Sequence, residues 1–153
     1  SQLGDPFAIG AFCSNNRDDV RYYRIKDFNQ LYDESVQSSL AGLESGLSTR
    51  IGAAIRHSGN NLITQQTYRK LLLIITDGEP SDLDVDDNSY LIEDARKAVQ
   101  SLAHQGVDVF GVGLQTNGKS YLEKIFGRRN SIEINRVDLL PKKLPMLYLR
   151  MTA

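Results

Sequence analysis

The sequence predicts a doubly wound α/β domain with a mostly parallel sheet and one antiparallel edge strand. Three observations carry this. Leu71, Leu72, Leu73, Ile74 and Ile75 form an unbroken aliphatic run, too short to span a membrane and stopped by a polar turn, so it reads as a central parallel strand covered on both faces. Downstream of it, strand-like runs alternate with apolar stripes at helical spacing, the order of a layered α/β fold. Upstream, two strand-like runs are separated by a turn too short for a crossover, so they must pair antiparallel.

Taken in order, residues 7–12 are an apolar run and residues 14–19 the polar turn. Residues 20–25 are the second strand, whose Arg and Tyr content suits a sheet edge. Val36, Leu40, Leu43 and Leu47 repeat at helical spacing, predicting a helix that starts after Asp33 and ends near Gly46. Ser48 or Thr49 is placed to cap the next helix, with Ile51, Ile55 and Leu62 on its buried face and residues 59–61 weakening its far end. After the central strand comes an acidic loop, then a helix over 89–104 with Leu91, Ala95, Ala98 and Leu102 on one stripe. Glu93 and Asp94 are read as first-turn partners of the helix dipole, and Gly106 as its stop. Residues 107–114 are a strand parallel to the central one, 121–126 a short helix closed by Gly127, and 131–137 a further strand. Leu140, Leu144, Leu147 and Met151 mark a last helix with Pro141 in its first turn. Residues 1–153 are expected to form one domain.

The chain has 153 residues, 41% hydrophobic and 24% charged, with a formal net charge of -1. That size supports one substantial core, and the balanced charge gives no field for nucleic acid or an anionic membrane. Neither partner is expected. Cys13 is the single cysteine, so no internal disulfide forms, and its place at the end of an apolar run suits burial as a small hydrophobe. With no leader, lipidation motif or membrane-spanning run, the expected setting is cytoplasmic.

Asp77 closes the central strand, at the carboxyl edge where open α/β sheets bind ligands. From Asp77 to Asp94 there are eight acidic residues and no basic one: Asp77, Glu79, Asp82, Asp84, Asp86, Asp87, Glu93 and Asp94. Hard divalent cations take such oxygen ligands, while the plainer reading is a solvated acidic loop. Asp82, Asp84, Asp86 and Glu93 sit at the first, third, fifth and twelfth positions of a calcium loop, but Asp87 replaces the glycine needed at the sixth. A magnesium-dependent phosphotransferase would use Asp77 as nucleophile, with Glu79 as second carboxylate and Lys119 or Lys124 as the cation. Serine-hydrolase chemistry lacks a nucleophile elbow, and no phosphate-binding or dinucleotide glycine loop occurs. Thr49 at a helix start and Asp77 at a strand end could together hold magnesium, directly or through water.

The segment Thr49-Arg50-Ile51-Gly52-Ala53-Ala54-Ile55-Arg56-His57, the string LLLIITDGEPSDLD and Tyr90-Leu91-Ile92-Glu93-Asp94 resemble the von Willebrand factor A domain at the carboxyl end of NorD/CbbO-type proteins. The resemblance implies a Rossmann-like fold and a metal-ion-dependent adhesion site, with Thr49 and Asp77 as the second and third ligand motifs and Glu79, Asp82 and Asp84 at the rim. It implies a non-enzymatic adaptor that works with a MoxR-type AAA+ ATPase to activate a target enzyme, nitric-oxide reductase or rubisco, with a bound Mg2+ completing its shell on a partner carboxylate. The family's first motif, Asp-x-Ser-x-Ser, follows a strand that lies between those of Phe7 and Leu71, and no such motif occurs from Ser1 to Pro6. The chain is therefore expected to start after that strand, to bind metal poorly alone, and to associate, as a homo-oligomer, through the two sheet edges so exposed.

Overall fold

The computed structural model describes residues 4–43, 48–81, 86–114 and 121–153. An antiparallel hairpin comes first, β1 (Ile9–Asn16) with β2 (Asp19–Lys26). Its turn is Arg17-Asp18, held by the Asn16 side chain, which accepts from the amides of Asp18 and Asp19 at 2.8 and 2.9 Å. The strand runs further than expected because Ser14 and Asn16 continue the pairing through an irregular register. Cys13 is only half-buried.

Helix α1 (Glu34–Ala41) is capped by Asp33, whose carboxylate accepts from the Val36 amide at 3.1 Å. It stops at Gly42, well before Gly46. Val36 is buried, but Leu43 is 42% exposed, so the predicted stripe is longer than the helix, and Leu47 lies outside the described residues. Helix α2 (Ile51–Ile63) runs unbroken through residues 59–61. At Gly59 a Cβ would stand 2.3 Å from Leu102 Cδ1, so the glycine lets two helices approach. Its cap residue is Arg50, with no side-chain bond, so neither Ser48 nor Thr49 caps it.

A three-stranded parallel sheet follows, in the order β3 (Lys70–Thr76), β4 (Val107–Leu114), β5 (Ser131–Ile134). Helix α3 (Asn88–His104) connects β3 to β4, and Gly106, at φ +81°, ends it as expected. Helix α4 (Tyr121–Phe126) connects β4 to β5. Residue 137 leaves the strand for a short 3₁₀ turn, and α5 (Leu140–Thr152) ends the chain with Pro141 in its first turn. Alternation on β4 separates two cores. Val107 and Val109 pack with Ile51 and Ile55 of α2, Ala95 and Leu102 of α3, and Ile125 and Phe126 of α4. Phe110 and Val112 face the opposite side, with Ile134, Leu144 and Leu147. Helices therefore cover both faces, the doubly wound arrangement.

One expectation needs correction. Among the described residues β3 is not a central strand in its own sheet but an edge, paired with β4 alone, and Ile75 on it is 40% exposed. The hairpin forms a separate sheet. Residues 48–49 link the two sheets. Ser14 near the end of β1 pairs with Ser48, and Thr49 pairs with Ser81 just beyond β3. Among the described residues β1 and β3 do not pair.

Candidate functional site at the carboxyl edge of the sheet

The site is built on residues 48–50, which lie as a short extended segment between the two sheets. The Ser14 and Ser48 amides each donate to the other's carbonyl, at 2.8 and 2.7 Å, and the Ser14 hydroxyl accepts from the Arg50 amide at 3.2 Å. On the other side the Thr49 amide donates to Ser81 O at 2.8 Å, and the Ser81 amide donates back at 3.1 Å. Fully buried Ser14 thus anchors the segment. Sequence reasoning missed it, because a serine after an apolar run carries the ordinary signal of a turn.

These bonds place Thr49 beside the loop that starts at Asp77, at the carboxyl end of β3. Asp77 is exposed and Thr49 half-buried. The turn is held by the Thr76 hydroxyl, which donates to Gly78 O at 3.1 Å. Glu79 is exposed and Pro80 buried, so the loop is anchored while its carboxylates face outward. Asp82 and Asp84 lie outside the described residues, as does Lys119. Lys124 is exposed on α4.

Asp87, Glu93 and Asp94 are engaged elsewhere. Asp87 caps α3, its carboxylate accepting from the Ser89 amide at 2.9 Å; hydrogen bonding to Ser89 holds this carboxyl below the usual range. Glu93 and Asp94 are not in the first turn of α3. Glu93 pairs with Arg96 at 2.6 Å, an engagement that removes the twelfth-position ligand of the calcium-loop reading. Asp94 takes a two-pronged bond from Arg56 of α2, Nη2 to Oδ1 at 2.7 Å and Nη1 to Oδ2 at 3.0 Å. Two segments that carry the sequence resemblance are thus clamped together. Asp77 and Glu79 stay exposed at the edge.

Tyr121, at the start of α4, packs into the core beneath this edge and is 2% exposed. Its hydroxyl has no hydrogen-bond partner among the described residues. Burial, reinforced by the carboxylates of Glu79, Asp77 and Glu133, pushes the phenol up to about 12. A tyrosine opening a six-residue helix gives no sequence signal of this role.

Among the described residues the donors for a divalent ion are few. Thr49 and Asp77 offer two ligating side chains, whereas magnesium takes about six oxygens in octahedral array. Among the described residues no three His, Cys, Asp or Glu side chains come together closely enough to hold a metal.

Residues 4–139 match the von Willebrand factor type A domain family. The chain belongs to that family. This A domain is 37% identical over 150 residues to Protein NorD of Brucella melitensis, covering 98% of this chain and 24% of the relative. It is 39% identical over 127 residues to Protein NorD of Stutzerimonas stutzeri, covering 83% of the chain and 21% of the relative. The A domain thus spans about a quarter of the length of the curated relatives it matches. Among solved structures, proximal thread matrix protein 1 from the mussel byssus superposes with a TM-score of 0.67 at 18% identity, over 94% of this chain and 36% of that one. That likeness concerns the fold. No described helix is long and apolar enough to cross a membrane.

Proposed function

We propose that the A domain is a non-catalytic docking module whose sheet edge, bearing Thr49 and Asp77, receives a partner protein. In this reading it acts with a MoxR-type AAA+ ATPase to activate or assemble a target enzyme. The relatives named NorD support the nitric-oxide reductase branch over the rubisco branch. The observation that carries the proposal is the pairing of Thr49 with Ser81, which brings a hydroxyl and the Asp77 loop to one exposed edge. A divalent ion there, Mg2+ by preference, would need most of its ligands from outside this chain, including a carboxylate of the partner.

The test is capture of the MoxR-type ATPase by the full-length protein, with Thr49→Ala and Asp77→Ala. Each change is expected to weaken capture at least tenfold without lowering the melting temperature, because both side chains lie outside the two cores. Undiminished capture by both variants would remove the proposal. Magnesium-dependent turnover of a phosphoester, abolished by Asp77→Asn, would instead establish the phosphotransferase reading.

A further inference from the structure

Where β3 and β4 begin, at the other end of the sheet from Thr49 and Asp77, lies a pocket of about 300 Å³. Its apolar part is Leu71, Phe110 and Met151. Phe110 packs with Leu73 in the core beneath α5, and Leu71 shares the Leu73 face by alternation. Its basic part is Arg129, in the loop before β5, and Arg150, in the last turn of α5. Both are exposed, and neither takes part in the ion pairs found among the described residues. A third guanidinium, that of Arg69, donates to the Thr152 carbonyl and ties the end of α5 to the start of β3.

The pocket also contains open backbone. β5 starts only opposite Gly111, whose amide donates to Asn130 O at 2.8 Å, so residues 107–110 of β4 precede any β5 partner. Alternate residues of a parallel strand turn both peptide groups to the same side, so Val109 faces the β5 side as Gly111 does. The loop offers it no backbone pairing among the described residues, because the Asn130 amide donates to Gly127 O at 3.2 Å instead. The Val109 side chain is buried in the opposite core. What Val109 presents to the pocket is therefore its peptide group.

We propose that this pocket captures the C-terminal carboxylate of an extended partner peptide whose last side chain is large and apolar. Each part of that ligand has a counterpart. A guanidinium fork matches a planar carboxylate with two parallel bonds. The floor of Leu71 and Phe110 takes the apolar side chain, and the open edge at Val109 pairs with the ligand backbone, as in strand addition. A pocket of this volume holds a residue-sized group, whereas a helix about 10 to 12 Å across would stand outside it. Asp108, exposed and also lining the pocket, decides the charge of the ligand. Arg129 and Arg150 against Asp108 leave one positive charge, which a carboxylate neutralises. A phosphate dianion would overshoot it and be repelled by Asp108. The site stands apart from the docking edge above, since Leu71 and Asp77 lie at opposite ends of β3, roughly 20 Å apart at about 3.3 Å per residue.

The experiment uses the full-length protein and an N-terminally fluorescein-labelled peptide, Gly-Ser-Gly-Ser-Leu with a free carboxyl end, followed by anisotropy. The peptide is expected to bind saturably. Amidation of its carboxylate and replacement of its final leucine by glycine should each weaken binding at least fivefold. So should Arg129→Gln and Arg150→Gln, which change exposed side chains and are checked for unchanged melting. Asp108→Asn should keep or tighten binding, and Thr49→Ala and Asp77→Ala should bind the peptide as the parent does. Acetyl-leucine is expected to displace the peptide, and inorganic phosphate at the same concentration to leave it bound. No saturable binding, equal binding of the amide, an unchanged affinity in either arginine variant, or displacement by phosphate equal to that by acetyl-leucine would each overturn the proposal. Loss of peptide binding in Thr49→Ala or Asp77→Ala would overturn it too, by placing the peptide at the other end of the sheet.

Discussion

Tyr121 makes the clearest prediction at the scale of one residue. Removing a buried hydroxyl with no hydrogen-bond partner among the described residues relieves a desolvation penalty of about 1 to 3 kcal/mol, so Tyr121→Phe is expected to raise stability, read by urea unfolding. Its pH dependence has a definite sign. The folded-state pKa lies above the ordinary 10.0, at about 12, so the folded chain keeps a proton that the unfolded chain releases. Its contribution is complete below pH 10 and is lost as the pH rises toward 12. Tyr121→Phe should show a shallower alkaline loss than the parent; equal slopes would contradict the assignment. Gly52 makes a second prediction. A Cβ there would stand 2.2 Å from Asp94 Oδ2, and that carboxylate cannot swing aside while Arg56 grips it with two bonds. Overpacking of about 1 to 3 kcal/mol outweighs a helix-propensity gain of about 1 kcal/mol, so Gly52→Ala destabilises. With Asp94→Ala present the same change becomes neutral or stabilising, and a double-mutant cycle measures the coupling. Additive effects would show that the ion pair is not what keeps residue 52 small.

Among the elements, α2 and α1 have similar apolar stripes but different weight. Ile55 of α2 is fully buried against α3 and β4, whereas Leu43 ends up beyond α1 and 42% exposed. Ile55→Ala is expected to cost about 2 to 5 kcal/mol, and Leu43→Ala to stay within about 0.5 kcal/mol; thermal unfolding distinguishes them. The hairpin is tied to α2 by Tyr22. Its ring lies over Gly10, where a Cβ would meet Oη at 2.0 Å, and beside His57 at 4.2 Å between centroids. The Ser58 hydroxyl donates to its phenol oxygen at 3.2 Å. This tie holds the hairpin in place where backbone pairing to β3 is missing.

At the scale of the molecule, the unpaired edges of β1 and β3 dominate. Among the described residues β1 pairs with β2 alone and β3 with β4 alone, and the half-exposed Ile75 shows that β3 is incompletely covered. Unpaired backbone groups on apolar strands recruit further strands. The 153-residue chain alone is therefore expected to associate through these edges, with sedimentation equilibrium reporting more than one copy. Ile75→Lys should weaken that association. A monomer in which β1 and β3 pair directly would decide against it.

The sequence by itself determined what depends on local periodicity and local conformational preference. β4 and α4 keep the bounds read from their apolar pattern, the α3 stripe of Leu91, Ala95, Ala98 and Leu102 is buried throughout, and Gly106 and Gly127 adopt the positive φ their places require. Thr49 and Asp77 were legible as candidates because one opens a helix segment and the other ends a strand. Tertiary structure decided what depends on distant partners. It turned Thr49 from a helix cap into a bridge to Ser81, turned Asp94 from a dipole partner into the ligand of Arg56 on α2, and left β3 at an edge. It also buried near the carboxylates of Asp77, Glu79 and Glu133 a phenol that has no hydrogen-bond partner among the described residues. Periodicity reports which face of an element is apolar, but a hydrogen bond or ion pair between residues 30 or more apart is set by how whole elements pack, and no local pattern encodes it.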